Sequence, residues 1–294
     1  MDWLNDTLEL LASTGGVCGY QAGQCGYTEP TAAAAIALMA HGRAADAKRA
    51  LDWLAQQQSE DGSLGVAAGV DQPRWPTGWA VLAWRQSEAE HGANWSPSID
   101  RGVAWILSLR GRTFPRSKET FGHDTTLTAW PWVAGTHSWI EPTSLQVLAL
   151  RSAGEANHPR TTEATRMLHD RLLPGGGCNY GNTRVLGQEL RPHVQPSGMA
   201  LAALASSART PRWRATRDYV REQGAETTAA ASLAWSIIGL TSVGARPAST
   251  TTVLSRAAAR AAEDAPSPYR LALLAAAAAD RTVLSSSRST GEER

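Results

Sequence analysis

Two kinds of helical pattern alternate along this chain, and their alternation constrains the fold more than any other feature of the sequence. One kind is amphipathic, with apolar residues three and four positions apart and charged residues between them, as expected for half-exposed helices. The other kind is small and apolar on nearly every side, as expected for helices that are buried all round. The amphipathic segments are 1–14, 44–58, 96–110, 161–173, 211–223 and 250–263. The apolar segments are 31–40, 77–84, 144–150, 197–206, 232–240 and 269–279.

This alternation predicts an all-α fold of about six helical hairpins, in which the apolar helices form an inner ring and the amphipathic helices an outer ring. Such an arrangement is an (α/α)6 barrel, or αα-toroid. A proline opens four of the apolar segments, at intervals of about 50 residues, which is typical of a repeated helical pair. The four tripeptides are Glu-Pro-Thr, Trp-Pro-Thr, Glu-Pro-Thr and Gln-Pro-Ser, centred on Pro30, Pro76, Pro142 and Pro196.

A second repeat marker lies between the hairpins. The segment Gly-Gly-Val-Cys-Gly-Tyr at 15–20 aligns with Gly-Gly-Gly-Cys-Asn-Tyr at 175–180, and each follows an amphipathic segment and precedes an apolar one. Glycine just past a helix end supplies the left-handed residue that terminates the helix. Since no internal linker is evident, we expect one toroid domain over 1–284. The Ser-, Glu- and Arg-rich tail at 285–294 predicts disorder.

Composition excludes several classes of protein. The 28 Lys and Arg residues nearly balance the 27 Asp and Glu residues, which argues against a nucleic-acid-binding protein because phosphate recognition needs a basic surface. A hydrophobic content of 43% argues against disorder of the whole chain. No apolar run is long enough to predict a membrane span. Three cysteines and the lack of a signal-peptide pattern predict a cytoplasmic protein.

Several motifs carry a resemblance to a known family. The stretch Leu-Asp-Trp-Leu-Ala-Gln-Gln-Gln at 51–58, followed by Asp-Gly-Ser at 61–63, resembles the Gln-Trp repeat of squalene–hopene and oxidosqualene cyclases. The stretch 130–143 and the glycine segment at 175–180 are similar to prenyltransferase and squalene oxidase repeats. Over about residues 1–280 the chain therefore resembles the terpene cyclase and protein prenyltransferase αα-toroid superfamily. The resemblance implies a toroid that handles an isoprenoid in its cavity.

The catalytic motifs of that superfamily are absent. The chain has neither the Asp-x-Asp-Asp acid of the cyclases nor the Asp-x-Cys zinc motif of the prenyltransferases, and it has about half the length of a two-barrel cyclase. Cys18 and Cys178 could serve as zinc ligands with His137 or His193. The repeat, however, places the two cysteines in different hairpins around a ring, so we expect no metal site there. No cofactor is indicated.

Tryptophan is unusually frequent, with 12 residues against 2 phenylalanines. Trp3, Trp53, Trp105 and Trp213 lie on amphipathic segments and are expected to pack hairpin against hairpin. Others lie on the apolar helices or in the loops that enter them. An aromatic-walled cavity would stabilise the carbocations of an isoprenoid, and it would equally provide stacking platforms for a sugar or simply fill a core.

The chain from Phe121 to Glu141 carries the most polar loop before an apolar helix. His123 and Asp124 have no counterpart in the other repeats, so we predict them as catalytic groups together with Glu141. Glu29 and Glu141 recur in the repeat, which favours a role at helix N-termini, where carboxylates interact favourably with free N–H groups and the helix dipole. The predicted substrate-binding residues are Glu29, Trp75, Trp79, Trp132, His137, Trp139, Tyr180, His193, Gln195 and Trp235.

Three functions follow from these patterns. The leading hypothesis is an isoprenoid-handling, cyclase-like or prenyltransferase-like protein with a hydrophobic small-molecule substrate. The second is a non-catalytic toroid that binds or scaffolds a protein partner. The third is a carbohydrate-active (α/α)6 enzyme that uses Glu29 and Glu141 as paired carboxylates. Whether the chain is an enzyme at all stays open at this point.

The loop lengths predict where the site lies. A long loop precedes each apolar helix, whereas the returns to the amphipathic helices are short, so we expect the chemistry at the rim of long loops. The N-termini of the inner helices face the same rim and favour anionic groups. The side chains predicted to converge there are His123, Asp124, His137, Trp139, Glu141 and His193, with Glu29 and Cys25 across from them.

Overall fold

The computed structural model describes residues 2–70, 72–117, 120–263 and 266–284 of the chain. The tail at 285–294, for which the sequence predicts disorder, lies outside these residues. The described part contains twelve α-helices and one short antiparallel pair of strands, β1 (Arg184–Val185) and β2 (Gln188–Glu189). The outer helices are α1 (Trp3–Ser13), α3 (Ala44–Gln56), α5 (Ser96–Ser108), α7 (Pro159–Arg171), α9 (Pro211–Glu226) and α11 (Thr250–Ala262). The inner helices are α2 (Thr28–Ala40), α4 (Thr77–His91), α6 (Ile140–Ser152), α8 (Val194–Ala203), α10 (Ala230–Ser242) and α12 (Pro268–Ala278).

The inner helices form a closed ring. Each packs against the next inner helix along the chain, and α12 packs against α2. Each outer helix packs against at least one of the two inner helices that are its neighbours along the chain, and α1 packs against α12 as well as α2. The predicted all-α toroid of six hairpins is therefore confirmed. Within the described ranges, no helix is both long and apolar enough to cross a membrane.

Small residues allow the inner helices to approach one another closely. The run from Ala32 to Ala37 in α2 is almost completely buried. Glycines meet where α8 packs on α10: a Cβ atom added to Gly239 would lie 2.4 Å from the carbonyl oxygen of Gly198. That distance is far below van der Waals contact, so this pair of helices depends on the absence of a side chain at Gly239.

The Pro-Thr and Pro-Ser repeat marker has a structural explanation. The hydroxyl of Thr31 bonds both the amide N–H (3.3 Å) and the carbonyl oxygen (3.2 Å) of Cys18 in the loop that enters α2. Each of the other three repeats places a hydroxyl in the same role, so the hydroxyl anchors the incoming loop to its inner helix. The equivalent bonds join Thr77 to Leu64, Thr143 to Trp130 and Ser197 to Cys178.

At the other rim of the ring, arginine side chains donate hydrogen bonds to carbonyl groups at the C-termini of the inner helices. Arg85 donates to the carbonyl oxygen of Ser152 at 2.8 Å, and Arg151 donates to that of Ala203. Arg246 bonds the last carbonyls of α12. Cations are favourable at helix C-termini because they meet unpaired carbonyls and the negative end of the helix dipole. Leu284 is buried on this rim, beside a cavity of about 460 Å³.

The loop-length prediction holds for four hairpins and is wrong for two. The loops that enter α2, α4, α6 and α8 are long, but those that enter α10 and α12 span only 227–229 and 263–267. The rim at the N-termini of the inner helices is therefore uneven, with long loops on one side only. The candidate site described next lies at this rim.

Candidate functional site

Four equivalent positions, each just before the repeated proline, lie at the N-termini of successive inner helices. They are occupied by Glu29 on α2, Trp75 before α4, Glu141 on α6 and Gln195 on α8. Gln195 Nε2 donates to Glu141 Oε1 at 2.9 Å. Since the inner helices run in the same direction, these four side chains share one mouth of the ring, which we call the carboxylate mouth.

Two tyrosines bind Glu29. The hydroxyl of Tyr20 donates to Oε2 and that of Tyr269 donates to Oε1, each at 2.7 Å. Tyr269 begins the last inner helix, which packs on α2 and closes the ring. Burial raises the pKa of Glu29, and the two tyrosine hydroxyls oppose that shift by favouring the carboxylate. This carboxyl group is therefore held in one orientation by both of its oxygens.

Glu141 is buried, with 7% of its surface exposed. Burial raises its pKa to about 7, the bond from Gln195 opposes the shift, and the negative charge of Glu29 adds to it. The two carboxyl groups therefore interact electrostatically across the mouth, although α4 separates their helices. An acid of pKa near 7 is poised to donate and accept protons close to neutral pH.

Glu29 and Glu141 occupy the helix N-terminal position that the sequence favoured, where a carboxylate interacts favourably with the helix dipole. Both lie within the first turn of their helices, and the residues that precede those helices, Tyr27 and Trp139, make no side-chain capping bond. The hydrogen bonds of the two carboxyls are made by tyrosine hydroxyls and a glutamine amide. Their oxygens are thus directed toward other side chains of the mouth.

The aromatic residues of this region divide into two layers. Trp79 and Trp235 are buried and pack against each other, with ring centroids 5.7 Å apart, so they fill the barrel interior instead of lining an open cavity. Trp75 and Trp132 are half-buried and meet edge to face at 4.6 Å. The partly exposed rings therefore lie at the rim, above a filled core.

A second aromatic pair lies beside Glu141. The rings of Tyr180 and His193 are 4.8 Å apart, and both residues are exposed. The carbonyl oxygen of Tyr180 accepts the amide N–H of Ile140 at 2.8 Å, which ties this loop to the start of α6. Burial and then the charge of Glu141 raise the pKa of Tyr180, so this hydroxyl is within electrostatic reach of the carboxyl group.

His123 and His137 belong to a different group of residues. They line a small cavity with Arg171, in the loop between α5 and α6. Burial, followed by the charge of Arg171, lowers the pKa of His123 to about 4, so its ring is neutral at pH 7. Its Nδ1 atom accepts the amide N–H of Thr183 at 3.4 Å. His137 also stacks on Trp139 at 4.4 Å, which links this cavity to the start of α6.

Asp124 forms a local turn. Its Oδ1 atom accepts the amide N–H of Thr126 at 3.0 Å and the hydroxyl of the same residue at 2.6 Å, and its other oxygen pairs with Arg116 at 3.5 Å. The bonds from Thr126 hold the pKa of this carboxyl below its usual range. The predicted convergence thus resolves into two groups at one rim. Cys25, expected across from them, is exposed.

The cysteines behave as the repeat predicts. Cys18 and Cys178 are buried and occupy equivalent positions, each bonded by the hydroxyl of its own hairpin, Thr31 or Ser197. Among the described residues, no group of three or more His, Cys, Asp or Glu side chains is arranged to hold a metal ion.

Sequence reasoning missed Tyr20, Tyr269 and Arg171. The alignment of 15–20 with 175–180 placed Tyr180 in the candidate site, and the same alignment could have placed Tyr20 there. Tyr269 has no such marker, because its contact with Glu29 spans 240 residues and depends on ring closure.

Solved structures of two kinds resemble this fold. A glycosidase variant with a glutamate-to-alanine substitution has a TM-score of 0.62 at 13% identity, over 95% of this chain and 96% of that one. A second glycosidase variant, with phenylalanine replaced by tyrosine, has a TM-score of 0.62 at 14% identity, over 97% of both chains. A mutant of Salmonella alpha-2-macroglobulin has a TM-score of 0.54 at 13% identity, over 94% of this chain and 17% of that one.

At these identities the likenesses show the toroid fold alone. No family model and no curated protein matches the sequence. The fold that the resemblance implied is confirmed, but these comparisons do not support membership of the terpene cyclase and prenyltransferase superfamily.

Proposed function

We propose that this protein is a carbohydrate-active enzyme that hydrolyses glycosidic bonds at the carboxylate mouth. The observation that carries the proposal is the pair Glu29 and Glu141, two electrostatically coupled carboxyl groups that are both desolvated and held by side-chain bonds. Glycoside hydrolysis needs two carboxyl groups on opposite sides of the scissile bond. The likeness of the whole chain to glycosidases in fold adds support.

The two carboxyl groups have different surroundings, and from this difference we assign one as the proton donor and the other as the group that acts at the anomeric carbon. Glu141, with its pKa raised to about 7, keeps a proton in mildly acidic to neutral solution and donates it to the glycosidic oxygen. Burial raises the pKa of Glu29 as well, but the hydroxyl bonds on both of its oxygens oppose that shift and favour the carboxylate. It acts at the anomeric carbon, either directly or through a water molecule. Asp124 and His123, the acid and base expected from sequence, take no step in this proposal.

The arrangement of the tryptophans favours a sugar over an isoprenoid. An isoprenoid cyclisation needs an enclosed apolar cavity, but Trp79 and Trp235 fill the interior below the mouth. Trp75, Trp132 and Trp139 are half-exposed at the rim, where a sugar ring can stack on an indole face while its hydroxyls stay in water. The open aromatic cavity that motivated the isoprenoid hypothesis is therefore replaced by a filled interior.

The experiment that tests the proposal measures hydrolysis of a panel of aryl glycosides and oligosaccharides. We expect turnover of at least one glycoside, and a loss of about 10²- to 10⁴-fold in kcat for Glu141→Gln and for Glu29→Gln. Glu163→Gln is the matched control, because Glu163 lies on outer helix α7 and bonds the amide of Thr128. It should keep its activity.

Asp124→Asn separates this proposal from the assignment made on sequence. Because Asp124 bonds Thr126 and Arg116, we expect activity within about threefold of the parent and a small loss of stability. Unchanged hydrolysis in both glutamate variants would contradict the proposal. So would turnover of prenyl diphosphates or squalene without turnover of any glycoside.

A further inference from the structure

A second site lies beside the carboxylate mouth. The loop between α5 and α6 encloses a cavity of about 120 Å³. A water molecule needs roughly 10–15 Å³ measured in this way, so the cavity holds a small molecule or several waters. Its polar lining includes Arg112, His123, His137, Ser138, Arg171 and Asn182. We call it the arginine cavity.

Arg171 dominates the arginine cavity. It is the last residue of α7, and only 5% of its surface is exposed. Its Nη1 atom donates to the carbonyl oxygen of Gly181, whereas its Nε atom is buried without a hydrogen-bond partner, and the nearest carboxylate oxygen, on Asp170, is 3.6 Å from it. A guanidinium group has five N–H donors. Among the described residues, the carbonyl group of Gly181 and the carboxylate of Asp170 use only part of that capacity.

The positive charge of Arg171 acts on both histidines of the cavity. Burial lowers the pKa of His137, as it does that of His123, and the charge of Arg171 lowers both further. His137 Nε2 is also buried without a partner. The carboxylate of Asp170 lies 3.6 Å from Arg171 Nε and also accepts the amide N–H of Asp124 at 2.8 Å, so its charge is shared between two partners. The cavity therefore combines a buried guanidinium group with polar atoms of Arg171 and His137 that no described residue hydrogen-bonds.

We propose that the arginine cavity binds a small oxyanion, a group with two or more negatively charged oxygens, through Arg171, Arg112 and the two histidines. Planar guanidinium groups suit carboxylate, sulfate and phosphate oxygens because they can donate two parallel bonds. The oxyanion can be a free inorganic ion or the acidic group of a sugar. The site does not depend on the hydrolytic function, and it can be tested by binding alone.

The first experiment titrates the full chain with sulfate by calorimetry, at constant ionic strength set with chloride. We expect saturable binding and a raised melting temperature. Arg112→Gln should weaken binding about tenfold or more, because it removes a charge-assisted bond. His137→Asn should also weaken it. Arg116→Gln is the matched control, since Arg116 pairs with Asp124 and does not line the cavity.

The pH dependence of sulfate binding supplies an independent readout. A bound anion favours the protonated form of His123 and His137, so affinity should rise as the pH falls from 7 to 5, while sulfate itself keeps its charge. Burial lowers the pKa of Arg171 to about 10, so this group stays charged over this range. Asp124, on the neighbouring turn, has its pKa held below the usual range by Thr126 and also stays ionised, and Asp170 faces Arg171 from α7.

The source of the anion is settled by a second set of titrations. Inorganic phosphate and sulfate represent free ions, and glucuronate with glucose as its neutral partner represents an acidic sugar. Tighter binding of glucuronate than of sulfate would identify a sugar acid, and the reverse order would identify a free ion. No saturable binding of either kind, or equal loss in Arg116→Gln and Arg112→Gln, would overturn the proposal.

Discussion

At the scale of single residues, burial and hydrogen bonding give two glutamates of one repeat different properties. Glu29 has both oxygens bonded by tyrosine hydroxyls, whereas Glu141 is bonded by one amide and has its pKa raised to about 7. A carboxyl group with a raised pKa is destabilising when ionised, because its charge is less well solvated in the fold than in the unfolded chain. Such residues are typical of functional sites.

Because ionising the buried Glu141 carboxyl costs free energy, we expect Glu141→Gln to stabilise the fold, by an amount that depends on pH. A folded-state pKa of about 7 lies above the reference value of 4.5. The stabilisation by the neutral carboxyl is therefore complete below about pH 4.5 and lost as the pH rises through 7. At pH 8 the variant should have a free energy of unfolding higher by up to about 3 kcal/mol, and near pH 4 no gain. Urea unfolding at both pH values measures this.

Glu163→Gln is again the control, and it should show no gain at pH 8. A pH-independent effect of Glu141→Gln would mean that the buried carboxyl is not ionised at high pH. The account of its raised pKa would then be wrong.

The sequence predicted Glu141, Gln195 and Tyr180 as site residues, and the structure brings them together near the starts of α6 and α8. The sequence could not show that Tyr20 and Tyr269 bond Glu29, since that geometry requires the folded ring. Nor could it separate Asp124 from the carboxylate mouth. The bonds that direct Asp124 toward Thr126 depend on the shape of the loop.

At the scale of helices, the two hydrophobic patterns predicted the positions of all twelve. The largest boundary difference is at the end of α4, which continues to His91 although the apolar pattern ended at 84. The starts of two other inner helices also differ, since α2 begins at Thr28 and α6 at Ile140, three or four residues earlier than the apolar pattern indicated. The reason is that the Glu-Pro-Thr motif forms the first turn itself. Proline is tolerated there because the first N–H groups of a helix have no partner within the helix.

Close packing between α8 and α10 gives a second prediction. In Gly239→Ala the new Cβ atom would overlap the backbone of Gly198, so the helices must move apart. We expect a loss of about 1–3 kcal/mol in the free energy of unfolding. Gly175→Ala is the control, because no atom lies within 4 Å of its Cβ position, and it should be neutral. Equal melting temperatures for the two variants would contradict the packing argument.

At the scale of the whole molecule, the ring brings distant segments of the chain together at one mouth. Glu29 comes from the first hairpin, Glu141 from the third and Tyr269 from the last. The alternation of apolar and amphipathic segments predicted this toroid, because six buried and six half-exposed helices fit an inner ring inside an outer ring. It did not predict that the interior is filled by Trp79 and Trp235 or that two entry loops are short.

The central claim, that Glu141 donates a proton to a glycosidic oxygen, is tested most directly by varying the leaving group. A good leaving group such as dinitrophenolate departs without a proton, whereas an alcohol or sugar needs one. Glu141→Gln should therefore retain hydrolysis of a dinitrophenyl glycoside but lose that of an oligosaccharide by about 10²- to 10⁴-fold. The parent's kcat/KM should fall above about pH 7, and this fall should be absent from the variant. Equal losses on both substrates, with the fall above pH 7 unchanged, would contradict the account.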